Sequence, residues 1–199
     1  MDGTLVNSSL TIANAINYVR KNLGFEPMEQ DYILRHVNEP DINPAQFFYH
    51  AKAFDKDHEK WFSEYYTKNH DKELVLYEGI KKLLLALKDK GYLLAVATNA
   101  YRSSTLESLG HLEVLDLFDA IGCYDDVAEG KPSPDMLHKV MDEVSVRVEE
   151  SIFIGDGPRD EMAAKKIAMH YVMVDWGFTA HDDAVRSVDA LMDLLLGDI

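Results

Sequence analysis

The feature that most constrains the fold is a short apolar run that stops at a glycine and an aspartate. Ser151–Ile154 has the composition of a strand buried in a parallel sheet. Gly155 ends the run, which places Asp156 at the carboxyl end of the predicted strand. Open α/β sheets bind their ligands at this edge. The stretch therefore predicts both a parallel sheet and an acidic group on its ligand-binding side.

A second carboxylate follows the first at a distance of four residues. Gly157 and Pro158 turn the chain, and Asp160 then opens a helix predicted over 162–168. Two carboxylates beside a glycine turn suit a hard cation that prefers oxygen ligands, such as Mg²⁺. An acidic helix start on a solvated loop would have the same residues, so this motif does not decide alone.

The rest of the second half of the chain alternates amphipathic helices with short apolar strands. Helices are predicted over 80–90, 103–109, 135–144 and 182–196, and further strands over 92–97, 118–122 and 171–174. This alternation is typical of a doubly wound parallel sheet. We therefore expect an α/β fold with a Rossmann-like core.

The segment before this core has a different pattern. A helix is predicted from Asn7 or Ser8 to about Gly24, and 27–73 is helical and rich in aromatic residues, with no strand pattern. Two aromatic stripes are interpreted as the core of a small helical domain: Phe47, Phe48, Ala51 and Phe54, and Trp61, Phe62, Tyr65 and Tyr66. We therefore expect residues 1–8 and 76–199 to form the α/β core and 9–75 an inserted helical cap.

Charge and cysteine content restrict the partners and the compartment. The 20 basic and 35 acidic residues give a net charge of −15, which disfavours nucleic acid and anionic membranes as partners. The lone Cys123 excludes an internal disulfide and suits a reducing cytosol. No apolar run approaches the roughly 18 residues of a membrane span. We expect a cytoplasmic protein, as a monomer or a homodimer.

Polar groups follow several predicted strands and should meet at one edge, because parallel strands end on the same side of a sheet. These groups are Asp2-Gly3-Thr4, Thr98-Asn99, Lys131, and Asp156 with Asp160. A small hydroxyl followed by a backbone N–H at a helix start can hold a phosphate oxygen. A lysine offers charge to an anion or to a phosphoryl group in transfer. Each group alone is a weak signal, whereas their order along the chain is informative.

The ordered set resembles the motifs of the haloacid dehalogenase superfamily of hydrolases. The resemblance is strongest to the phosphoglycolate-phosphatase and β-phosphoglucomutase branch, which has a helical cap after the first strand. Met1-Asp-Gly-Thr-Leu5 is similar to the first motif, Thr98 to the second, Lys131-Pro132 to the third, and Gly155-Asp156-x-x-x-Asp160 to the fourth. The resemblance covers nearly the whole chain.

The resemblance implies a Mg²⁺ site and a general acid–base. Asp2 would protonate the leaving alcohol and then activate water, while its backbone carbonyl contacts Mg²⁺. Asp156 would bind Mg²⁺ directly. Asp160, the third residue of the implied metal site, would orient the site through water or through Lys131.

The resemblance also implies how the phosphorylated substrate is held. Thr98 and the backbone amide of Asn99 would bind the phosphoryl group, with Gly3 beside them. Lys131 would neutralise the nucleophile and the phosphate. Substrate choice would come from the cap and from the Tyr77–Gly79 region, with the cap closing over the substrate to exclude water.

The chain departs from the family pattern at its start. The pattern places a nucleophilic aspartate two residues before Asp2, one place before Met1, and a first core strand ahead of it. Covalent catalysis needs that carboxylate. We therefore expect residues upstream of Met1 to supply both the strand and the nucleophile.

The function expected from the resemblance is Mg²⁺-dependent hydrolysis of a small phosphorylated metabolite through a phospho-aspartyl intermediate. A sugar-phosphate mutase of the same family remains an alternative, since no residue separates transfer to a sugar from transfer to water. A non-catalytic phosphometabolite-binding or partner-binding relic is the contrasting class. A dehalogenase proper is disfavoured because it needs no metal, and a phosphonatase because it needs a Schiff-base lysine in the cap.

Overall fold

The computed structural model describes residues 1–37, 39, 42–177 and 182–197, without the side chains of residues 70 and 71. The chain divides into two compact units. One comprises Met1–Val6 and Leu76–Ile199, and the other comprises Asn7–Val75. No helix in the described part of the chain is long and apolar enough to cross a membrane.

The Asn7–Val75 unit is helical. Its described helices are α1 (Ser9–Asn22), α2 (Gln30–His36), α3 (Pro44–Tyr49) and α4 (Lys56–Glu73). α3 begins as its sequence predicts, since the Asn43 side chain accepts a hydrogen bond from the Gln46 N–H and Pro44 occupies the first helical position. α4 and α1 pack along each other.

One apolar cluster fills the interior of the helical unit. Its fully buried members come from α1, α2 and α3: Ala13, Ile16, Val19, Ile33, Phe48 and Tyr49. The buried Arg20 guanidinium donates to two backbone carbonyls, Glu26 O at 2.9 Å through Nε and Phe48 O through Nη1. These bonds tie the loop after α1 and the last turn of α3 to α1, and they satisfy a charge that would otherwise be costly to bury.

The first predicted aromatic stripe, which runs from Phe47 to Phe54, is wrong for Phe54. α3 ends at Tyr49, and His50 takes a left-handed conformation with φ of 56°. Phe54 therefore lies beyond the helix and is 50% exposed, whereas Phe48 is 2% exposed. A helical spacing predicts a shared face only while the helix continues.

The other unit contains parallel strands. Its strands are β3 (Ala95–Ala97), β4 (Ala120–Gly122), β5 (Ile152–Gly155) and β6 (His170–Met173). Two further strands of two residues each, β1 (Val6–Asn7) and β2 (Val75–Leu76), pair where the chain passes between the units. β3 pairs with β4 and β5 with β6, both in parallel. Among the described residues no strand pairs with the second edge of β3 or of β5.

In the described part of this unit, five helices cover these strands. They are α5 (Ile80–Asp89), α6 (Arg102–His111), α7 (Asp135–Val144), α8 (Pro158–Lys166) and α9 (Val188–Leu196). α5 and α9 share one apolar cluster with Val96 of β3 and Val172 of β6. α7 and α8 share a second cluster that contains Ala97. Helices thus bury the strands as a parallel sheet requires.

Several predicted helix boundaries are wrong, and two of the differences have a clear local reason. α8 begins at Pro158 rather than at residue 162, because proline favours the first helical position after the extended Gly157. α9 begins at Val188 rather than at residue 182, where the Ser187 hydroxyl caps the Ala190 N–H. α6 continues through Gly110 to His111.

The first prediction concerns the core of the helical unit. Phe48→Ala should lower the free energy of unfolding by about 3–5 kcal/mol, because it leaves a cavity in a fully buried cluster. Phe54→Ala removes the same atoms from an exposed position and should cost about 0.5 kcal/mol or less. Urea denaturation followed by circular dichroism measures both. Equal losses in the two variants would contradict the assignment of this core.

Candidate active site

The predicted site residues of the α/β unit follow the carboxyl ends of its strands. Thr98 and Asn99 come directly after β3, and Asp156 comes directly after β5. Lys131 lies in the loop between β4 and α7, and Asp160 lies in the first turn of α8. The topology therefore brings groups from four separate segments to one edge, as parallel strands dictate.

Lys131 is the most heavily engaged side chain at this edge. Its Nζ donates to the backbone carbonyl of Ala97 at 2.8 Å and forms an ion pair with Asp160 Oδ1 at 2.5 Å. The same nitrogen lies 5.4 Å from the centre of the Phe153 ring. Lys131 is 9% exposed, so these contacts hold a buried charge in one place.

The side chain of Asn99 holds the backbone of Lys131 from the other side. Its Nδ2 donates to Lys131 O at 2.9 Å, and its Oδ1 accepts from the Lys131 N–H at 2.8 Å. A Cβ on Gly130 would lie 2.8 Å from Asn99 Oδ1, so glycine is needed there. The sequence interpretation gave Asn99 a role only through its backbone amide. An asparagine after a strand is an ordinary turn residue, and no sequence signal identifies this long-range pair.

Thr98 is buried and orders the turn that leads towards α6. Its backbone N–H donates to Gly122 O at 3.0 Å, and its hydroxyl oxygen accepts from the Ala100 N–H at 3.2 Å. The second bond uses an oxygen lone pair, so the hydroxyl hydrogen can still donate to an anionic oxygen. α6 begins at Arg102, one residue before its predicted start, so the Asn99 N–H belongs to the turn that precedes the helix.

The N-terminal turn lies against the Asp156 carboxylate. The Thr4 hydroxyl donates to Asp156 Oδ1 at 2.7 Å. Gly3 has φ of +74°, and a Cβ built on it would lie 2.1 Å from Asp156 Oδ2. Only glycine allows both this backbone conformation and this approach. The indole N–H of Trp176 donates to Thr4 O at 2.9 Å, which fixes the turn from the β6 side.

The carboxylates at this edge outnumber the cations that face them. Burial raises the pKa of Asp156 above its ordinary value of 3.8, although the Thr4 hydroxyl opposes the rise. Asp2 Oδ1 is buried and has no hydrogen-bond partner among the described residues. The partly buried Asp156 carboxylate and the unpartnered Asp2 oxygen together favour a bound cation.

These residues fit Mg²⁺ as a partly hydrated ion rather than as an ion caged by protein. Within the described ranges no three His, Cys, Asp or Glu side chains gather as a metal site. Mg²⁺ is ordinarily held by one or two carboxylates, with water and substrate phosphate completing its shell. The Asp156 carboxylate, together with the backbone carbonyl of Asp2, suits this arrangement. Because Asp160 Oδ1 pairs with Lys131, the geometry favours an orienting role for Asp160 over direct ligation.

Comparison with known proteins gives consistent matches. A protein-family model described as haloacid dehalogenase-like hydrolase matches residues 1–174. A phosphoglycolate phosphatase from Colwellia psychrerythraea is 30% identical over 192 residues, covering 92% of this chain and 85% of that protein. Pyrophosphatase PpaX from Bacillus cereus is 25% identical over 179 residues, covering 88% of this chain and 81% of that protein.

A solved structure shows the same architecture. A hydrolase of the haloacid dehalogenase-like family from Streptococcus pneumoniae superposes with a TM-score of 0.75 at 26% identity. The match covers 92% of this chain and 85% of that one. The predicted α/β fold with a helical cap is thereby confirmed.

The second prediction concerns the charge of Asp156. Burial raises its pKa, so its ionisation opposes folding increasingly as the pH rises from the ordinary value of 3.8 towards neutrality. Without divalent ions at pH 7, Asp156→Asn should therefore raise the free energy of unfolding, on the order of 1 kcal/mol. Mg²⁺ at 100 times its dissociation constant should stabilise the unmodified protein by about 2.7 kcal/mol and leave Asp156→Asn unchanged.

Thermal denaturation with and without Mg²⁺ measures both effects. Asp142 is exposed, so Asp142→Asn is the control for the loss of one negative charge. An equal Mg²⁺ response in all three proteins would rule out Asp156 as a ligand.

Proposed function

Because the chain belongs to the haloacid dehalogenase-like hydrolase family, we propose that it is a Mg²⁺-dependent phosphatase that hydrolyses a small phosphorylated metabolite. The family membership and the phosphatase names of its relatives support the reaction class. The proposal also assigns the site residues and the metal, and the geometry of the sheet edge supports these assignments.

The observation that carries the proposal is the position of the Lys131 ammonium. Its Nζ reaches the end of β3 at Ala97 O and the start of α8 at Asp160, so it lies between the elements that carry Thr98 and Asp156. A phosphoryl group at this edge would have a fixed positive charge on one side and the Thr98 hydroxyl as a donor. Fixed donors and charges of this kind stabilise the transition state of phosphoryl transfer.

The proposed reaction has two steps. A carboxylate attacks phosphorus and the ester P–O bond breaks, while the Asp2 carboxyl gives its proton to the leaving alcohol oxygen. Asp2, now ionised, takes a proton from water, whose oxygen attacks phosphorus and releases inorganic phosphate and the free carboxylate. The family pattern places the attacking carboxylate one residue before Met1, outside residues 1–199. Asp2 Oδ1, buried without a described partner, suits the proton transfers.

The metal has a limited part in this scheme. Mg²⁺ held by Asp156 and by the backbone carbonyl of Asp2 would neutralise negative charge on the phosphoryl oxygens. Asp160 keeps Lys131 in place through their ion pair. Thr4 and Gly3 hold Asp156, and the Asn99 side chain holds the Lys131 backbone. These supporting residues restrict the movement of the groups that would meet the substrate.

The names of the relatives suggest two substrates to test. Phosphoglycolate is favoured because the Colwellia psychrerythraea phosphatase matches 92% of this chain. Inorganic pyrophosphate is the second candidate, because a relative matching 88% of the chain is named a pyrophosphatase. Both are small and strongly anionic, and the net charge of −15 makes a local cation necessary for either.

Phosphate release from phosphoglycolate, pyrophosphate and β-glucose 1-phosphate, with and without Mg²⁺, tests this function. We expect hydrolysis that stops on chelation of Mg²⁺. Formation of glucose 6-phosphate without phosphate release would support the mutase instead. Binding of the three compounds without turnover, in protein that carries the upstream carboxylate, would support the non-catalytic relic.

The third prediction concerns Lys131. Lys131→Gln should lower kcat/KM for the preferred substrate by about 10²–10³-fold, because it removes the fixed charge beside the phosphoryl group. Lys82→Gln, at an exposed position in α5, is the matched control and should leave kcat/KM unchanged. Steady-state kinetics of both variants, with circular dichroism to check folding, gives the comparison. Equal kcat/KM in the two variants would remove Lys131 from the site.

A further inference from the structure

An aromatic pair on two neighbouring strands lies close to the sheet edge that carries the candidate site. Phe153 of β5 and Tyr171 of β6 are partners in the parallel ladder. Their ring centres are 6.0 Å apart, with an angle of 56° between the ring planes. Both rings pack against the apolar cluster that α7 and α8 share. The Tyr171 ring therefore has a fixed position on the face of the sheet that α8 covers.

The hydroxyl of Tyr171 reaches the turn that follows β5. It donates to Gly157 O at 3.4 Å, and the sulfur of Met173 lies 3.4 Å from the same hydroxyl oxygen. A phenol has one hydroxyl hydrogen and a thioether is a weak acceptor, so the carbonyl is the main partner. Gly157 O also accepts from the N–H groups of Asp160 at 3.1 Å and Glu161 at 3.3 Å, at the start of α8. The Tyr171 hydroxyl therefore ties the start of α8 to β6.

Asp156 lies between two residues that are bonded to the β6 segment. On its amino side, Gly155 O accepts from the N–H of Val174, directly after β6, at 2.9 Å. On its carboxyl side, Gly157 O accepts from the Tyr171 hydroxyl. A Cβ built on Gly157 would meet no atom of the described residues within 4 Å, so packing does not restrain this glycine. Since glycine has the widest backbone freedom of any residue, the bond to its carbonyl restricts the turn beside Asp156.

Tyr171 keeps its proton beside the carboxylates of this edge. Burial raises its pKa, and the charges of Asp160, Asp156 and Glu161 raise it further. The hydroxyl is therefore a neutral donor at physiological pH. A buried phenol without an acceptor would be less favourable than a phenylalanine, so the bond to Gly157 gives a physical reason for tyrosine at this position.

We propose that Tyr171 is a positioning residue for the metal site, and that it holds the turn over 156–160 in its metal-binding conformation before the metal binds. This role rests on the proposed function only in that Asp156 is taken as the Mg²⁺ ligand. Ordering a glycine turn costs conformational entropy, and a turn that is already ordered leaves less of that cost to metal binding. Tyr171 contacts neither metal nor substrate in this role and acts through the position of Asp156.

Tyr171→Phe tests this role because it removes one hydroxyl and keeps the ring. The Mg²⁺ dissociation constant, measured by isothermal titration calorimetry, should rise about 2–5-fold, in the lower part of the range for one hydrogen bond because the bond is long. The kcat at saturating Mg²⁺ should be unchanged, because bound metal orders the turn again. The matched control is Tyr92→Phe, at an exposed position in the same unit, which removes a hydroxyl bonded to Leu195 O at 3.5 Å. The control should leave the dissociation constant unchanged.

A second variant separates the hydroxyl bond from the packing of β6. Met173→Leu removes the sulfur that competes for the Tyr171 hydroxyl and keeps a similar side-chain volume. The hydroxyl can then donate fully to Gly157 O, so the Mg²⁺ dissociation constant should stay the same or fall. A rise in Met173→Leu equal to that in Tyr171→Phe would assign the effect to packing and overturn the proposal.

Three further results would overturn the role of Tyr171. A lower Tm of Tyr171→Phe with an unchanged Mg²⁺ dissociation constant would show that the hydroxyl stabilises only the fold. An equal rise in the dissociation constant of Tyr92→Phe would show that the effect is not specific to the turn. Failure of the unmodified protein to bind Mg²⁺ would show that the turn is not a metal site.

The calorimetric measurement keeps this role separate from the proposed function. An unmodified protein that binds Mg²⁺ but releases no phosphate from phosphoglycolate, pyrophosphate or β-glucose 1-phosphate would reject the phosphatase. A weaker Mg²⁺ affinity of Tyr171→Phe would support the positioning role even then. Phosphatase activity together with equal Mg²⁺ affinity in the two proteins would keep the function and reject the role of Tyr171.

Discussion

The ion pair between Lys131 and Asp160 is the contact on which the organisation of the sheet edge depends. It joins the loop before α7 to the first turn of α8, and the bond from Lys131 to Ala97 O extends the connection to β3. Burying two opposite charges is costly unless their remaining hydrogen-bonding groups are satisfied. The carbonyl of Ala97 and the face of Phe153 serve the Lys131 ammonium, and the side chain of Asn99 holds the Lys131 backbone, so the pair fixes three segments at once.

A second constraint is the close contact between the N-terminal turn and Asp156. Gly3 leaves no room for a side chain, and the Thr4 hydroxyl bonds to the carboxylate. The carboxylate is partly buried, and its raised pKa reflects the cost of that burial. The fold thus holds a negative charge where water cannot solvate it well, which is the condition under which a small divalent cation binds with most benefit. The close packing of Gly3 and Thr4 against Asp156 therefore both restricts the N-terminal turn and favours binding of a cation.

The division of the strands into two pairs has consequences for both stability and chemistry. Each pair is covered by helices on its faces, and the apolar clusters that include α5 and α9, and α7 and α8, hold the unit together. The facing edges of β3 and β5 nevertheless leave backbone groups and apolar side chains without a strand partner in the described part of the chain. The residues of the candidate site follow these same strands, Thr98 after β3 and Asp156 after β5, with the Lys131 ammonium bonded to Ala97 O and Asp160.

The sequence by itself determined the strands, the cap helices and the edge at which Thr98, Lys131 and Asp156 lie, because apolar runs, capping residues and glycine turns act over a few neighbouring residues. Only the tertiary structure decided the partners. Thr4 and Asp156 are 152 positions apart, and Asn99 and Lys131 are 32 apart. It also decided between the two routes expected for Asp160, in favour of the pair with Lys131, and it decided that Phe54 is exposed. Such pairings depend on how whole strands and helices pack, and no local pattern in the chain encodes them.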